Sequence, residues 1–174
     1  MRLFVASFVK LDDYTSIRRD FEEVLHAKWV REENLHLTWA FLGEQLSALP
    51  WLESLQRLTP LLQTRPLHSL GSFARPPRIL FARVDETSLL RKSAQLRSVG
   101  FPIERFKPHV TLCRIKRIHD LKRFNELKKK YEGKRLGWIE REISLVESVL
   151  TPDGPNYLKL QSVTEETPYH LREP

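Results

Sequence analysis

The sequence predicts a single domain, residues 1–174, that mixes β-strands with α-helices and is built from two related halves. Three observations lead to this fold class. Apolar runs with strand-like character alternate with segments of helical spacing along the whole chain. Each half contains a strand, a helix and a second strand that carries the same short pattern, His-x-Thr. Finally, the length fits one domain, and no low-complexity segment or long linker divides the chain.

The first segment of the chain is predicted to run strand, helix, strand. Arg2–Val9 is rich in aliphatic and aromatic residues, which favours a strand. One of the two aspartates that follow can cap a helix, whose apolar residues keep helical spacing as far as Leu25. After a short extended piece at Trp29–Val30, the run Leu35–Leu42 predicts a strand that Gly43 ends.

The middle of the chain is predicted to contain two helices around a pair of strands. Leucines on one stripe predict a helix over Ser47–Leu62. Leu67–Phe73 and Ile79–Val84 predict paired strands on either side of the loop ARPPR. The pattern at Thr87–Val99 predicts the next helix, and Gly100 ends it.

The last part of the chain repeats the alternation and closes with a hairpin. His109–Ile115 predicts the strand with the second His-x-Thr pattern, and Asp120–Tyr131 predicts a charged helix. Glu140–Leu150 and Tyr157–Val163 predict two strands joined by the turn TPDGPN. We expect the polar residues 165–174 to fray.

Composition and charge restrict the class of protein and its partners. The formal net charge is +7 and the isoelectric point is about 9.7, which favours a polyanionic partner such as nucleic acid. A basic but inert surface remains the alternative. Cys113 is the single cysteine, so we expect a reducing, cytoplasmic setting. The sequence has no signal-peptide pattern and no apolar run long enough for a membrane span, and we expect a monomer without membrane contact.

The two His-x-Thr patterns are the main functional signal. His36 and Thr38 lie two residues apart in NLHLTWAFLG, and His109 and Thr111 lie two apart in KPHVTLCRI. Side chains alternate across a strand, so each strand presents an imidazole and a hydroxyl on one face. The intervening Leu37 or Val110 points to the other face and suits a core. If the fold brings the two strands face to face, they form a cleft suited to acid–base chemistry at phosphorus.

Two histidines on opposite sides of a phosphorus atom can divide the proton transfers of hydrolysis. One imidazole takes a proton from an attacking water while the other gives a proton to the departing oxygen, because histidine titrates near neutral pH. Each such role typically contributes about 10²–10⁴-fold in rate. The threonine hydroxyls can donate hydrogen bonds to the non-bridging oxygens, where negative charge develops.

The cations beside the second pattern are further candidates for holding a phosphate. Lys107 and Arg114 flank it, and arginine can bind phosphate through two parallel hydrogen bonds. Strict alternation places Arg114 on the face opposite His109. The guanidinium therefore reaches a phosphate only if the strand ends or bulges before it.

Metal binding is the competing use of two histidines. Catalytic zinc usually takes three protein ligands, often including a carboxylate, and no acidic residue lies at ligand spacing from either pattern. Cys113 shares the strand parity of His109 and Thr111, so a metal site remains open. The sequence has no glycine-rich phosphate loop, so we expect no ATP-driven chemistry.

The remaining histidines and several aromatic residues have ordinary structural interpretations. We expect no direct role for the other four histidines: His26 at the end of a helix, His68 in a strand, His119 at the head of a helix, and His170 in the polar tail. An aromatic side chain could stack on a nucleobase, but a core position is the expected one for the four candidates Phe8, Phe41, Trp138 and Tyr157.

Both patterns in their local context make the chain resemble the two-histidine (2H) phosphoesterase superfamily. Within it, the chain is most similar to the bacterial and archaeal RNA 2′,3′-cyclic phosphodiesterases, also labelled 2′-5′ RNA ligases. The segments that carry the resemblance are MRLFVAS, WVREENLHLTWAFLGE, RPPRILFARV, RFKPHVTLCRIK and LTPDGPNYLKL. The similarity extends from Met1 to about Val163.

The resemblance implies an α+β fold in which two lobes of antiparallel β-strands flank a central cleft, with helices on the outside. It also implies hydrolysis of an RNA 2′,3′-cyclic phosphate to a 2′-phosphate, without a metal or nucleotide cofactor. By position, His36 would protonate the departing 3′ oxygen and His109 would activate water. Thr38 and Thr111 would hold the phosphate oxygens, and the arginine after the second motif falls on Arg114.

The chain also departs from the family at a few positions. Trp39 and Ala40 stand where the family often has Leu-Lys, and Cys113 stands where a small residue is common. By parity we expect Trp39 to pack in the core and Ala40 to share the face of His36. Two alternative functions remain open from the sequence: reversible 2′-5′ RNA ligation, and a noncatalytic module that binds RNA ends.

Overall fold

The computed structural model describes residues 1–164, which form nine β-strands and four α-helices. The strands are β1 Arg2–Leu11, β2 Leu25–Trp29, β3 His36–Glu44, β4 Arg65–Phe73, β5 Ile79–Val84, β6 Val110–Ile118, β7 Arg135–Ile139, β8 Ile143–Thr151 and β9 Gly154–Val163. The helices are α1 Tyr14–Glu22, α2 Leu49–Leu55, α3 Leu90–Ser98 and α4 Leu121–Lys130, with 3₁₀ turns at Glu32–Asn34 and Thr87–Leu89.

The strands form two antiparallel sheets that share β1. One sheet has the order β3-β1-β8-β9, and the other has the order β2-β6-β5-β4-β7. The first part of β1 pairs with β3 and β8, for example Ala6 with Ser144, whereas its last residues, Val9 to Leu11, pair with β7. The expected α+β class is therefore confirmed, and each His-x-Thr pattern lies in a different sheet.

The helices cover the sheets from outside and close the main hydrophobic core. Asp13 caps α1 by accepting a hydrogen bond from the backbone N–H of Ser16, as one of the two expected aspartates. The rings of Phe21 in α1 and Phe124 in α4 meet edge to face with centroids 5.6 Å apart, and both are fully buried. Trp51 in α2 stacks on Phe101, which follows α3, with ring centroids 5.7 Å apart and an interplanar angle of 18°.

Three elements differ from the sequence prediction. The first helix ends at Glu22, and residues up to Trp29 form β2 because they pair along the edge of β6. Helix α2 is shorter than the predicted Ser47–Leu62. Strand β7 was not predicted, since Gly137 interrupts its strand signal. A Cβ on Gly137 would lie 2.0 Å from the carbonyl oxygen of Lys10, so the close approach of β7 to β1 requires glycine. Residues 165–174, expected to fray, lie outside the described residues.

Candidate active site

The first His-x-Thr pattern lies in β3, with its two polar side chains on one face. His36 pairs with Phe8 of β1, and Thr38 pairs with Ala6. Leu37 between them is fully buried in the main core, as the alternation predicts. Beneath His36 lies a separate small apolar cluster, whose members are Phe4, Phe8, Ala6, Val146 and Tyr157. The imidazole is therefore supported by apolar side chains that do not belong to the main core.

The second pattern lies at the start of β6 and has the same layout. His109 immediately precedes the strand, Val110 is fully buried, and Thr111 pairs with Phe81 of β5. The ring of His109 meets Phe73 and Phe81 edge to face, with centroids 4.9 Å and 5.6 Å apart. Each imidazole thus stands against aromatic rings of a neighbouring strand.

A backbone carbonyl two residues earlier orients each imidazole. Nδ1 of His36 lies 2.7 Å from the carbonyl oxygen of Asn34, and Nδ1 of His109 lies 2.8 Å from that of Lys107. Because a carbonyl oxygen can only accept, Nδ1 carries the proton in both rings. In the neutral form Nε2 is then an acceptor, and in the charged form it is a donor. In both rings Nε2 is therefore the nitrogen that can accept a proton in the neutral form or donate one in the charged form.

Burial and charge act together on His36. Its ring contacts Phe4, Phe8 and Tyr157, with centroids 5.1, 5.9 and 5.3 Å away. Burial lowers the pKa of His36, the hydrogen bond to Asn34 opposes this shift, and positive charge on His109 lowers the pKa further. The charge of His109 acts on His36, so the two imidazoles, which are distant in sequence, lie close enough in the fold to interact electrostatically.

A β-bulge in β6 moves Arg114 to the side of the histidines. Cys113 pairs with Leu80, but Thr111 pairs with Phe81, so Leu112 is an extra residue in β6. The side-chain alternation therefore reverses after Leu112. Arg114 pairs with Ile79, which shares a face with Phe81 two residues later in β5, and its side chain is exposed. The bulge meets the condition under which Arg114 can reach a bound phosphate.

A similar β-bulge in β3 follows the first pattern, and it corrects the expectation for Ala40. Ala40 pairs with Val5 and Thr38 pairs with Ala6, so Trp39 is the extra residue. Ala40 is consequently buried in the core at 4% exposure and does not share the face of His36. Phe41, and not Ala40, shares the face of His36. It pairs with Phe4 and is 75% exposed.

The bulge in β6 also corrects the expectation for Cys113. The thiol lies in the main core at 0% exposure, on the side opposite Thr111, and burial raises its pKa to about 12. Cys113 therefore cannot join the histidines as a metal ligand. Among residues 1–164, no group of three or more histidine, cysteine, aspartate and glutamate side chains is placed to hold a metal ion.

The β8–β9 hairpin contributes site residues that the sequence did not single out. The side-chain amide of Asn34 donates a hydrogen bond of 3.0 Å to the carbonyl of Pro155, while its own carbonyl orients His36. Arg31 donates to the same carbonyl and to Asn156. These contacts hold Tyr157 against His36. The signal available in the sequence was the turn TPDGPN, which predicted the hairpin but not its partner.

A groove of about 610 Å³ lies at this junction. Its lining includes Phe8, Asn34, Tyr157 and Lys159, and the ammonium of Lys159 lies 4.7 Å from the centroid of the Phe8 ring. Burial raises the pKa of Tyr157, whereas the charges of Arg114 and Arg2 lower it, so Arg114 lies near the phenol. Of the four aromatic candidates, Phe8 and Tyr157 contact His36, Phe41 is exposed, and Trp138 is part-buried in β7.

The other histidines lie elsewhere. His26 is exposed in β2 and does not end a helix, because that helix stops earlier. His68 lies in β4, where its Nδ1 is 3.5 Å from the hydroxyl of Ser69. His119 is exposed just before α4, and His170 lies outside the described residues.

Two antiparallel sheets that each present an imidazole and a hydroxyl to one cleft define the class of two-histidine phosphoesterases. Comparison with known proteins agrees with this class. The family model for LigT like Phosphoesterase matches residues 11–81. RNA 2′,3′-cyclic phosphodiesterase of Aquifex aeolicus is 33% identical over 81% of this chain and 83% of its own length. The enzyme of the same name from Archaeoglobus fulgidus is 34% identical over 92% and 98%. The chain belongs to this family.

A solved structure extends the comparison to the fold. The crystal structure of a Thermus thermophilus protein matches 94% of this chain and 97% of its own, with a TM-score of 0.72 and 27% identity. The match therefore spans both sheets and the connecting helices. No helix among residues 1–164 is long and apolar enough to cross a membrane.

Proposed function

We propose that the chain hydrolyses RNA 2′,3′-cyclic phosphate ends to 2′-phosphate ends, with His36 and His109 as the general acid and base and without a metal ion. Its curated relatives from Aquifex aeolicus and Archaeoglobus fulgidus carry the name RNA 2′,3′-cyclic phosphodiesterase. The net charge of +7 suits an RNA substrate, and the single cysteine suits a reducing, cytoplasmic setting. The proposed active unit is one chain, because each chain supplies both histidines.

The reaction needs two proton transfers around one phosphorus atom. His109 Nε2 takes a proton from water while the water oxygen forms the new bond to phosphorus. The bond from phosphorus to O3′ breaks, and His36 Nε2 gives its proton to that oxygen. The product, which carries a 2′-phosphate and a free 3′-hydroxyl on the same ribose, then leaves. His109 gives its extra proton to solvent and His36 takes one up, which restores the two imidazoles. Each transfer typically contributes about 10²–10⁴-fold.

The hydroxyls and Arg114 have a separate role in this scheme. Thr38 and Thr111 each share a face with a histidine, and from there they donate hydrogen bonds to the non-bridging oxygens. Arg114 adds a cation that balances the charge of the phosphate. The bound anion also raises the pKa of His36, which burial lowers in the free protein. Substrate binding thereby supplies the protonated acid that the leaving oxygen needs.

One observation carries the proposal more than any other: both Nδ1 atoms bond to a backbone carbonyl two residues earlier, at 2.7 and 2.8 Å. Paired orientation of this kind leaves two Nε2 atoms for chemistry on one substrate. A metal site would instead call for a third ligand, and Cys113, which kept that reading open, is buried on the opposite side.

Product analysis with cytidine 2′,3′-cyclic phosphate and with a short RNA bearing that end tests the proposal. We expect wild-type protein to yield the 2′-phosphate, identified by ³¹P NMR, at an unchanged rate in EDTA. His36→Ala and His109→Ala should each lower kcat at least about 100-fold. His119→Ala is the matched control, because that side chain is exposed and outside the cleft. Formation of a 3′-phosphate, or near-normal turnover by either active-site variant, contradicts the mechanism.

A further inference from the structure

A row of basic side chains continues from the active site along the edge of the larger sheet. Arg114 in β6 pairs with Lys28 in the edge strand β2, and one step further Arg117 pairs with His26. Paired residues of antiparallel strands point to the same face. These four residues, Lys28, Arg114, His26 and Arg117, are all exposed, and we call them the basic track.

A second bulge keeps the track on one face. Ala27 pairs with Ile115 but His26 pairs with Arg117, so Lys116 is an extra residue in β6. Without this bulge, Arg117 would point to the face opposite Arg114. The residues on the opposite face, among them Leu25 and Ile115, pack in the main core. The two bulges of β6 therefore sort its cations onto the cleft side and its aliphatic residues onto the core side.

The track is joined to the active site at Arg114. Arg114 and Thr111 lie on one face of the sheet, because their partners Ile79 and Phe81 are two residues apart in β5. The charge of Arg114 also acts on Tyr157, whose ring contacts His36. Successive steps along the track are two residues apart in β2, a rise of about 6.8 Å. That spacing is comparable with the distance between neighbouring phosphates of a single nucleic-acid strand.

The cations of the track are free to meet an external anion. Within the described part of the chain, neither Lys28 nor Arg117 forms an ion pair or hydrogen bond through its side chain. The carboxylates of Glu22 and Glu33 form ion pairs with Arg18 and Arg31, with N···O distances of 2.6 and 3.7 Å. Surface lysine and arginine residues without internal partners are the groups that bind phosphates by releasing counterions.

We propose that the basic track binds the backbone phosphates of the RNA strand on the 5′ side of the terminal nucleotide. This inference rests on the proposed function, because a 2′,3′-cyclic phosphate is a 3′ end and its RNA continues in the 5′ direction. A cyclic mononucleotide reaches only the cleft, whereas an oligonucleotide also occupies the track. The track contacts phosphates and not base edges, so it binds RNA without regard to sequence.

The experiment compares two substrates and two double variants of the full chain. The substrates are cytidine 2′,3′-cyclic phosphate and a five-nucleotide RNA with the same 3′ end. Lys28→Gln/Arg117→Gln removes two track cations but leaves Arg114, which belongs to the phosphate site. Arg57→Gln/Lys129→Gln is the matched control, because it also removes one arginine charge and one lysine charge, but from exposed positions off the track. Thermal unfolding establishes that both variants fold.

We expect the track variant to lose roughly tenfold in kcat/KM on the oligonucleotide and to retain wild-type kcat/KM on the mononucleotide. Its dependence of log KM on log salt should be shallower by about 1.4, since each phosphate contact to a single strand contributes about 0.7. The control variant should match the wild type on the mononucleotide and lose less than twofold on the oligonucleotide. Equal losses on both substrates, or equal losses in both variants, would overturn the proposal.

Binding separates a failed track from a failed function. Fluorescence anisotropy with a 5′-labelled RNA that ends in a 3′-phosphate measures the track without turnover. If the wild type hydrolyses neither substrate but still binds this RNA tenfold better than the track variant, the proposed function fails and the track stands. If both substrates are hydrolysed and the two proteins bind the RNA equally, the track fails and the function stands.

Discussion

The indole of Trp39 lies parallel to the ring of Phe106, with ring centroids 5.4 Å apart and an interplanar angle of 4°. Trp39 is the bulged residue next to Thr38, and Phe106 lies three residues before His109. The stack therefore joins the strand of one histidine to the segment that delivers the other. The indole N–H also donates to the hydroxyl of Ser7, which in turn donates to the carbonyl of Glu142.

A double-mutant cycle measures this stack. We expect Trp39→Leu and Phe106→Leu each to lower the free energy of unfolding, and the pair to show a coupling of about 1 kcal/mol. Because the stack spans the two motifs, both single variants should also lower kcat/KM on a cyclic mononucleotide. Urea unfolding of the four proteins gives the coupling. Strict additivity would show that the rings do not stabilise each other.

The amide of Asn34 is expected to matter for both stability and turnover. Asn34→Ala removes the hydrogen bond to Pro155 inside a buried junction, which should cost about 1–3 kcal/mol of folding free energy. The loosened hairpin should also lower kcat, because Tyr157 rests on His36. Asn156→Ala is the control, since its side chain accepts from Arg31 at an exposed position. Denaturation and steady-state kinetics of both variants measure the difference, and equal effects would contradict a special role for Asn34.

The pKa of His36 should depend on whether an anion occupies the cleft. In the free protein burial lowers it below the usual histidine range, and the charge on His109 lowers it further. Inorganic phosphate places negative charge beside the ring and should raise the pKa. Titration of the imidazole Cε1–H by NMR, with and without phosphate, gives both values. His119 serves as an internal reference, because it is exposed outside the cleft. An unchanged pKa would mean that phosphate binds away from His36.

The burial of His36 also determines in which direction the free energy of unfolding changes with pH. Its folded-state pKa lies below that of the unfolded chain, so the unfolded state takes up a proton first as the pH falls. The contribution of this group to stability is thus present above the ordinary histidine pKa and is lost on acidification. His36→Asn should flatten the decline in the free energy of unfolding between pH 7.5 and about 5.5. A variant with the same decline as the wild type would contradict this.

The thiol of Cys113 should be inert in the folded protein. It is fully buried, and burial raises its pKa to about 12, so the reactive thiolate is scarce near neutral pH. We expect Ellman's reagent to modify less than a tenth of the thiol within minutes at pH 8, and all of it in strong denaturant. Since the chain has one cysteine, the slow native rate reports opening of the β5–β6 region. Rapid native labelling would contradict the core position.

The sequence predicts side-chain directions in the two motif strands only over the short stretch where strict alternation holds. The two motif strands follow from their alternation, and the buried Leu37 and Val110 agree with it. Strict alternation then fails after each threonine, because one extra residue reverses the side-chain direction. It placed Ala40 and Cys113 in the cleft, whereas Phe41 and Arg114 have those positions. These bulges are defined by the pairing register with β1 and β5, which the local sequence of each motif strand does not reveal.

Long-range contacts account for the rest. Asn34 and Tyr157 lie far apart in sequence, and only the fold brings the hairpin onto His36. Strand β7 was missed because Gly137 weakens its strand signal, although its close contact with β1 requires that glycine. In each case the role of the residue depends on a contact with a segment that is distant in sequence, so no local sequence pattern could indicate it.

Because β1 belongs to both sheets, neither half of the molecule can complete its hydrogen bonding alone. Its partners β7 and β8 lie between residues 135 and 151, so they leave the ribosome long after β1 does. Until then β3 is the partner available to β1, and the edge that later pairs with β7 and β8 stays unpaired, a state that favours aggregation or binding by chaperones. The architecture therefore requires nearly full synthesis before the sheet of His36 and the sheet of His109 can join through β1.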